Sequence, residues 1–318
     1  MTTLVSVIGT IFVDCKGFAK ESYNPFGRNL GSIQFVHGGV SRNVVENLAN
    51  LDLSTAFVST VDDSGLGEEI SKRLKDAGVA LDYTQRTPSE GMGMWLAVLN
   101  ENGDLVGSIS QMPNLITLQN LITQRGEEIV KNSSHLVLEM DLNDQISCQV
   151  LSIAEQWNKP VFGIPGNMDV IMSHPELLGK LECFICNHIE AEKLVSADFN
   201  SLDTTGRIAA LKKYVDASTL KSMVVTLGAD GSIYYDSRTQ ESGYQPVFPV
   251  QVVDSSGAGD AFFSGTVMGL VRGLSLSEAV ICGTKVAGWT IESKENNCRE
   301  LREKTRGDVV FQGLLVGR

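Results

Sequence analysis

Short runs of apolar, β-prone residues alternate along this chain with stretches patterned for amphipathic helix, and that alternation restricts the fold more than any other feature. The runs are LVSVIG (4–9), STAFVSTV (54–61), SHLVLEM (134–140), KPVFGI (159–164), ECFIC (182–186) and SMVVTLG (222–228). Between them lie VSRNVVENLANL (40–51), LGEEISKRLKDAG (66–78), LQNLITQRGEEIVKN (118–132) and GRIAALKKYVD (206–216). Continuously apolar strands have no polar face to offer water, so they imply an α/β fold: a mostly parallel sheet with helices on both faces. Open sheets of this kind bind ligands beyond the carboxyl ends of their strands.

Two stretches interrupt the alternation. Residues 12–37 are poor in helical pattern, and residues 91–110, GMGMWLAVLNENGDLVGSIS, read as a hairpin turning at ENGD. Together they predict a small β-sheet standing off the main one, as a lid or as an edge decoration. No linker, repeat or low-complexity segment separates parts of the chain, so residues 1–318 are expected to form a single domain carrying that lid. The closing segment, DVVFQGLLVGR, is too apolar for a disordered tail.

Composition narrows the function. Of 318 residues, 42% are hydrophobic and 20% charged, a soluble globular balance. No run of about 18 apolar residues occurs, so no membrane span is expected. LVSVIG lacks a basic region before it and reads as a first strand rather than a signal peptide. The net charge of −12, with no basic block, argues against nucleic acid and membrane surfaces and leaves a small molecule as the expected partner. Six scattered cysteines include one C-x-x-C, CFIC, near His188 but without a second ligand pair. Buried, reduced thiols in a cytoplasmic protein are the expectation.

Chemistry concentrates in VVDSSGAGDAFFSG (252–265). A strand is expected to end near Val253, and Ala261, Phe262, Phe263, Val267, Met268 and Leu270 suit a buried helix beyond it. The first N–H groups of a helix have no partner within it, and the helix dipole favours negative charge there. Glycines at that point let a ligand approach the backbone, so Gly257, Ala258 and Gly259 predict an anion cradle with Asp260 beside it. Asp260 is then placed to take the proton of an attacking hydroxyl. An aspartate at its ordinary pKa of about 3.9 is a weak base, which late proton transfer tolerates. A capped helix packed through small residues is the alternative. No G-x-x-x-x-G-K-[ST] occurs, and the turn falls too late for a dinucleotide G-x-G-x-x-G.

DSSGAGDAFFSG resembles the C-terminal signature of the ribokinase-like (PfkB) carbohydrate kinases, written D-T-x-G-A-G-D. The resemblance implies an anion hole at Gly257, Ala258 and Gly259, a catalytic base at Asp260, and Asp254 at the family's first aspartate, a further metal-side candidate. HGGVSRNVVENLANL (37–51) resembles the N-terminal signature, implying substrate contacts from Gly38, Gly39 and Asn43, with Asp14 gripping sugar hydroxyls. FICNHIEAEKL (184–194) matches N-x-x-E at Asn187 and Glu190, implied to organise Mg²⁺ through water; taken alone, the pair reads as a helix cap. VVTLGADGSIYY (224–235) matches the strand–turn–strand over the nucleotide, implying ATP contacts from Thr226, Gly228 and Gly231, and KENN places Asn297 near the base. In this family some members respond to a monovalent cation, and homodimers form through the lid.

Within the family, YNPFGRNLGSIQFVHGGVSRNVVENLANL (23–51) is closest to the pseudouridine kinase branch, which implies transfer of phosphate from ATP to a ribose 5′-hydroxyl. A ribokinase- or fructokinase-type sugar kinase is the alternative, and a non-catalytic sugar- or nucleoside-binding protein is the alternative of another class. Departures motivate both: Asp62 and Ser64 in VDDSGLG, Gln111 before Met112, and Ile164 with Asn167 nearby where the family often has Asp. Trp95, Met94 and Phe35 are candidates to stack a base or to form lid core.

Overall fold

The computed structural model describes residues 3–196 and 198–315. Thirteen strands are present among them: β1 (Leu4–Ile8), β2 (Phe12–Ala19), β3 (Gly31–Gly38), β4 (Ser54–Asp62), β5 (Ala80–Thr87), β6 (Gly93–Leu99), β7 (Leu105–Gln111), β8 (His135–Glu139), β9 (Val161–Ile164), β10 (Cys183–Asn187), β11 (Ser222–Thr226), β12 (Ser232–Asp236) and β13 (Glu241–Gln245). Nine form one sheet in the order β13-β12-β11-β10-β9-β8-β1-β4-β5. From β11 to β5 the pairing is parallel; β12 and β13 add an antiparallel edge.

The helices are α1 (Val40–Asn50), α2 (Gly65–Asp76), α3 (Ile116–Asn132), α4 (Asp144–Gln156), α5 (Asp169–Ser173), α6 (His188–Leu194), α7 (Thr204–Ser218), α8 (Ala258–Val271), α9 (Leu276–Ile291), α10 (Leu301–Gly307) and α11 (Val309–Leu315). They cover both faces of the sheet, and successive strand residues serve opposite cores. Val5 and Val7 pack with α1, α8 and α9, whereas Ile8 packs with α3 and α4. Val137 joins the first core, Leu136 and Leu138 the second. This is why the strands read as unbroken apolar runs. Cys183 and Cys186 obey the same rule: three apart on β10, they point into opposite cores and cannot share a metal. Burial pushes the Cys183 thiol up to about 12. None of the helices among the described residues is long and apolar enough to cross a membrane.

β2, β3, β6 and β7 form a separate four-stranded sheet, ordered β3-β2-β6-β7, from the two stretches that broke the alternation. Its hairpin turns between Leu99 and Leu105, at ENGD.

Three differences from the sequence reading have physical reasons. No strand ends near Val253: residues 246–257 are irregular, and Val252 and Val253 are exposed rather than core. β5 and β13 lie at the two sheet edges, where partly exposed positions carry polar residues and dilute the apolar signal. The C-terminal segment is helical over Val309–Leu315, where Phe311 inserts into the first core.

Candidate active site

Five helices here open on a side chain that accepts from the first turn: Ser64 for α2, Asn143 for α4, Asn187 for α6, Asp203 for α7 and Ser275 for α9. α1 and α8 open instead on glycines, Gly39 and Gly257, with φ of 95° and 76° and no side-chain cap. At Gly39 an added Cβ would lie 2.8 Å from the Phe12 nitrogen and 2.9 Å from the Thr10 oxygen. At Gly257 it would lie 2.1 Å from the Asn296 carbonyl oxygen. Glycine is therefore required twice over, by backbone conformation and by packing. Side-chain capping is absent at the two helix starts that meet at Asp260.

Asp260, in the first turn of α8, accepts a 2.7 Å hydrogen bond through Oδ2 from Asn43 Nδ2 on α1. Burial raises its pKa to about 7, with the Glu139 charge adding to the rise, while the Asn43 bond and the Arg42 charge hold it down. An aspartate poised near neutrality is a far better general base than the ordinary one assumed from sequence. Ahead of it, Gly259 has open space on its Cβ side, and the Ala258 N–H turns back to the Ser255 oxygen at 3.2 Å.

On one side of Asp260 lie the residues expected to bind the acceptor. Asp14 stands on β2 with its Oδ1 3.1 Å from where a Gly38 Cβ would be, and burial raises its pKa. Three residues not singled out from sequence join this side. Glu139, ending β8, accepts from the Thr10 N–H at 3.0 Å and from Ser41 Oγ at 2.8 Å. β8 and the segment after β1 flank the point where strand order reverses, the usual ligand position in such sheets. Burial raises the Glu139 pKa, and the nearby Asp141 adds to it. A lone carboxylate closing the apolar run LVLE was the signal available for it.

On the other side is a cavity of about 450 Å³ whose walls include Thr226, Gly228, Gly231, Ser255, Ala258 and Gly259. Val252, Phe248 and Ile291 supply apolar wall, which explains the exposure of Val252. Asp254 itself accepts from the Ser256 N–H at 2.8 Å and shapes the turn into Gly257. Asn297 is a correction: it lies outside this cavity, fully buried, accepting from Arg42 Nη1 at 2.9 Å and donating to the Asn43 oxygen at 2.9 Å. Both ends of its amide are committed to the frame beneath the site.

Asn187 and Glu190 form a closed capping box on α6. Asn187 Oδ1 accepts from the Ile189 and Glu190 N–H groups, both at 2.9 Å, and Glu190 Oε2 accepts from the Asn187 N–H at 2.8 Å. Among the described residues no cluster of three or more carboxylate, His or Cys side chains is arranged to chelate a metal directly.

Two departures from the family pattern, Asp62 and Ser64, have structural roles. Asp62 accepts from the Gly91 N–H, anchoring the chain where it enters β6 of the lid, and Ser64 caps α2 at 3.2 Å. Gln111 is exposed at the end of β7, and Ile164 is buried at the end of β9. The stacking candidates divide by strand alternation. Trp95 is paired with Asp14 and shares its face, while Phe35 and Met94 lie on the opposite one.

The sequence profile of the pfkB family carbohydrate kinases matches residues 2–300. The chain is 35% identical over 293 residues to the guanosine-inosine kinase of Exiguobacterium acetylicum, covering 92% of this chain and 95% of that one. It is 28% identical over 278 residues to the pseudouridine kinase of Escherichia coli, covering 87% and 86%. Its fold superposes on Arabidopsis thaliana ribokinase, solved with ribose and ATP, at a TM-score of 0.81 with 22% identity, covering 97% of this chain and all of the other. With Asp260 at an uncapped helix start, between Asn43 and a cavity of about 450 Å³, and these likenesses along nearly its whole length, the chain belongs to the pfkB family of carbohydrate kinases.

Proposed function

We propose that this protein is an ATP-dependent nucleoside kinase that phosphorylates the 5′-hydroxyl of a ribose-bearing nucleoside. The observation that carries the reading is the position of Asp260, bonded to Asn43 on the acceptor side while Ala258 and Gly259 of the same turn line the cavity. ATP would enter over Thr226, Gly228 and Gly231, with its γ-phosphate at the uncapped start of α8. The sugar would lie among Asp14, Gly38, Gly39, Asn43 and Glu139. Asp260 takes the proton of the 5′-hydroxyl as its oxygen forms a bond to phosphorus and the bond from phosphorus to ADP breaks. N–H groups of Gly257, Gly259 and Asp260 receive the charge gathering on the phosphoryl oxygens.

Mg²⁺ fits this donor set as a hydrated ion. Glu190 is a half-buried carboxylate whose pKa is raised by burial and by Asp141, so a nearby cation is favoured, and a closed capping box suits contact through water. When bound, it neutralises charge on the ATP phosphates. Glu190, Asn187 and Asp254 are the residues that would hold its waters; a monovalent cation has no assigned ligands here.

The acceptor named first is inosine or guanosine. The 35% likeness to a guanosine-inosine kinase outweighs the 28% likeness to a pseudouridine kinase, the acceptor expected from sequence. Trp95, on the same lid face as Asp14, is the candidate to stack the base. On the opposite face, Phe35, Leu96 and Ile109 form an exposed apolar row, which supports pairing of two lids in a homodimer. The test is ADP release from Mg-ATP with inosine, guanosine, pseudouridine, uridine, ribose and fructose. Turnover on a nucleoside at least about tenfold above that on free sugars is expected; preference for ribose or fructose would refute the nucleoside reading.

A further inference from the structure

The polar stripe of α1 extends beyond Asn43. Arg42, its neighbour, is only 1% exposed, yet every part of its guanidinium is engaged. Nε donates to the Gly38 oxygen at 3.1 Å, Nη1 to Glu46 Oε2 at 2.8 Å and to Asn297 Oδ1 at 2.9 Å, and Nη2 to the His37 oxygen. The two carbonyls belong to the end of β3, where the lid passes into the Gly38-Gly39 turn. Asn297 donates onward to the Asn43 oxygen, and Asn43 to Asp260. Beside it, Asn296 Nδ2 donates to the His37 oxygen at 3.3 Å, and the Asn296 carbonyl is the surface against which Gly257 packs.

We propose that Arg42 is a positioning residue for phosphoryl transfer, locking the acceptor-side glycine turn, Asn43 with its partner Asp260, and the 296–297 loop beneath Gly257 into one frame. This deepens the reading of Asp260 as the general base and rests on it. A planar fork reaches three directions at once, which the single ammonium of lysine does not. Sequestering a cation this deeply is costly without a paired anion. Glu46 supplies that anion and is itself held by Arg73 Nε at 2.8 Å, with Arg73 reaching Glu295 at 2.9 Å.

The charged groups around this frame come from every packed element. Glu46 faces Arg42 from α1, Arg73 from α2, His37 from β3 beside Glu69, and Asp260 from α8; Glu139 faces Asp260 from β8. Burial and the Arg42 charge lower the His37 pKa, so His37 adds no charge near neutral pH. Arg42 is thus the cation that favours the ionised form of Asp260.

The experiment measures kcat and KM against pH for Arg42→Lys, Arg42→Met and Asn297→Ala, with wild type and Asp260→Asn alongside. Arg42→Met and Arg42→Lys should each lower kcat/KM for the acceptor about tenfold or more through misalignment, with KM for ATP changed less than about twofold. Arg42→Met should also move the acid limb of the profile upward, and Arg42→Lys should leave it in place. Folded Arg42→Met with wild-type kcat/KM and an unmoved limb would overturn the proposal. Should Arg42→Met fail to fold, Arg42→Met with Glu46→Met removes both members of the pair, and Asn297→Ala breaks the Arg42–Asn297–Asn43 link while leaving the Arg42–Glu46 pair in place. A fall in kcat for these supports the proposal, and wild-type kcat refutes it. An inactive wild type, or an active Asp260→Asn, would instead refute the underlying kinase reading.

Discussion

In the folded chain Asp260 takes up its proton near pH 7, while an aspartate in an unfolded chain does so near about 3.9. Two consequences follow from this one difference. As a base it must be ionised, so kcat/KM should fall with pH below about 7, roughly tenfold per unit. As a folding term it works the other way. Between about pH 4 and 7 the folded state binds more protons than the unfolded one, so this residue's contribution to stability declines across that window and its full cost is present above 7. Asp260→Asn keeps the bond from Asn43 and escapes the cost. Its Tm relative to wild type should therefore climb from pH 4 to 7 and level off above. A Tm difference that stays flat with pH would show that the carboxylate is not buried as described. The site geometry thus stores destabilisation where the chemistry needs it.

Among elements, the two glycines flanking the start of α8, Gly257 and Gly259, should behave in opposite ways. Gly257→Ala meets both a left-handed φ and the Asn296 carbonyl, so it should cost about 2 kcal/mol or more and displace the helix start. Gly259→Ala meets open space inside a helix, where alanine is favoured by about 1 kcal/mol, so Tm should hold or rise while kcat collapses. Thermal melts paired with turnover separate the two; loss of stability in Gly259→Ala would contradict the anion-cradle geometry. The same helix explains what sequence made legible. DSSGAGD announced a helix start with its capping side chain replaced by glycine, and HGGVSRN announced a second. Arg42 and Glu46 were visible as charged residues on a predicted helix, but their partners lie some 250 residues away in Asn297 or across on α2, which no local pattern encodes. Asn297 was misplaced for that reason. Its side chain is buried, held between Arg42 and the Asn43 oxygen.

Across the whole molecule, the sheet and the lid divide the work. The parallel sheet brings Thr10, Glu139 and the starts of α1 and α8 to the carboxyl ends of its strands, and the four-stranded lid carries Asp14 and Trp95 over them on one face. Its other face leaves Ile33, Phe35, Leu96 and Ile109 exposed. A homodimer through that face predicts a sedimentation mass twice that of the chain, reduced to a monomer by Phe35→Asp with Ile109→Asp; a monomeric wild type would refute it. Alternation of strand and helix made the sheet readable, because both faces are buried, whereas the edge strands β5 and β13 escaped because water covers part of them. In the proposed reaction Asp260 directs the γ-phosphoryl group of ATP onto a nucleoside 5′-hydroxyl. It is tested most directly by ³¹P NMR of the product formed from Mg-ATP and inosine, guanosine or pseudouridine. The prediction is stoichiometric ADP and a nucleoside 5′-phosphate from wild type, with the rate lowered about 10²–10⁴-fold in Asp260→Asn. Phosphate on another oxygen, or equal rates for the two proteins, would contradict it.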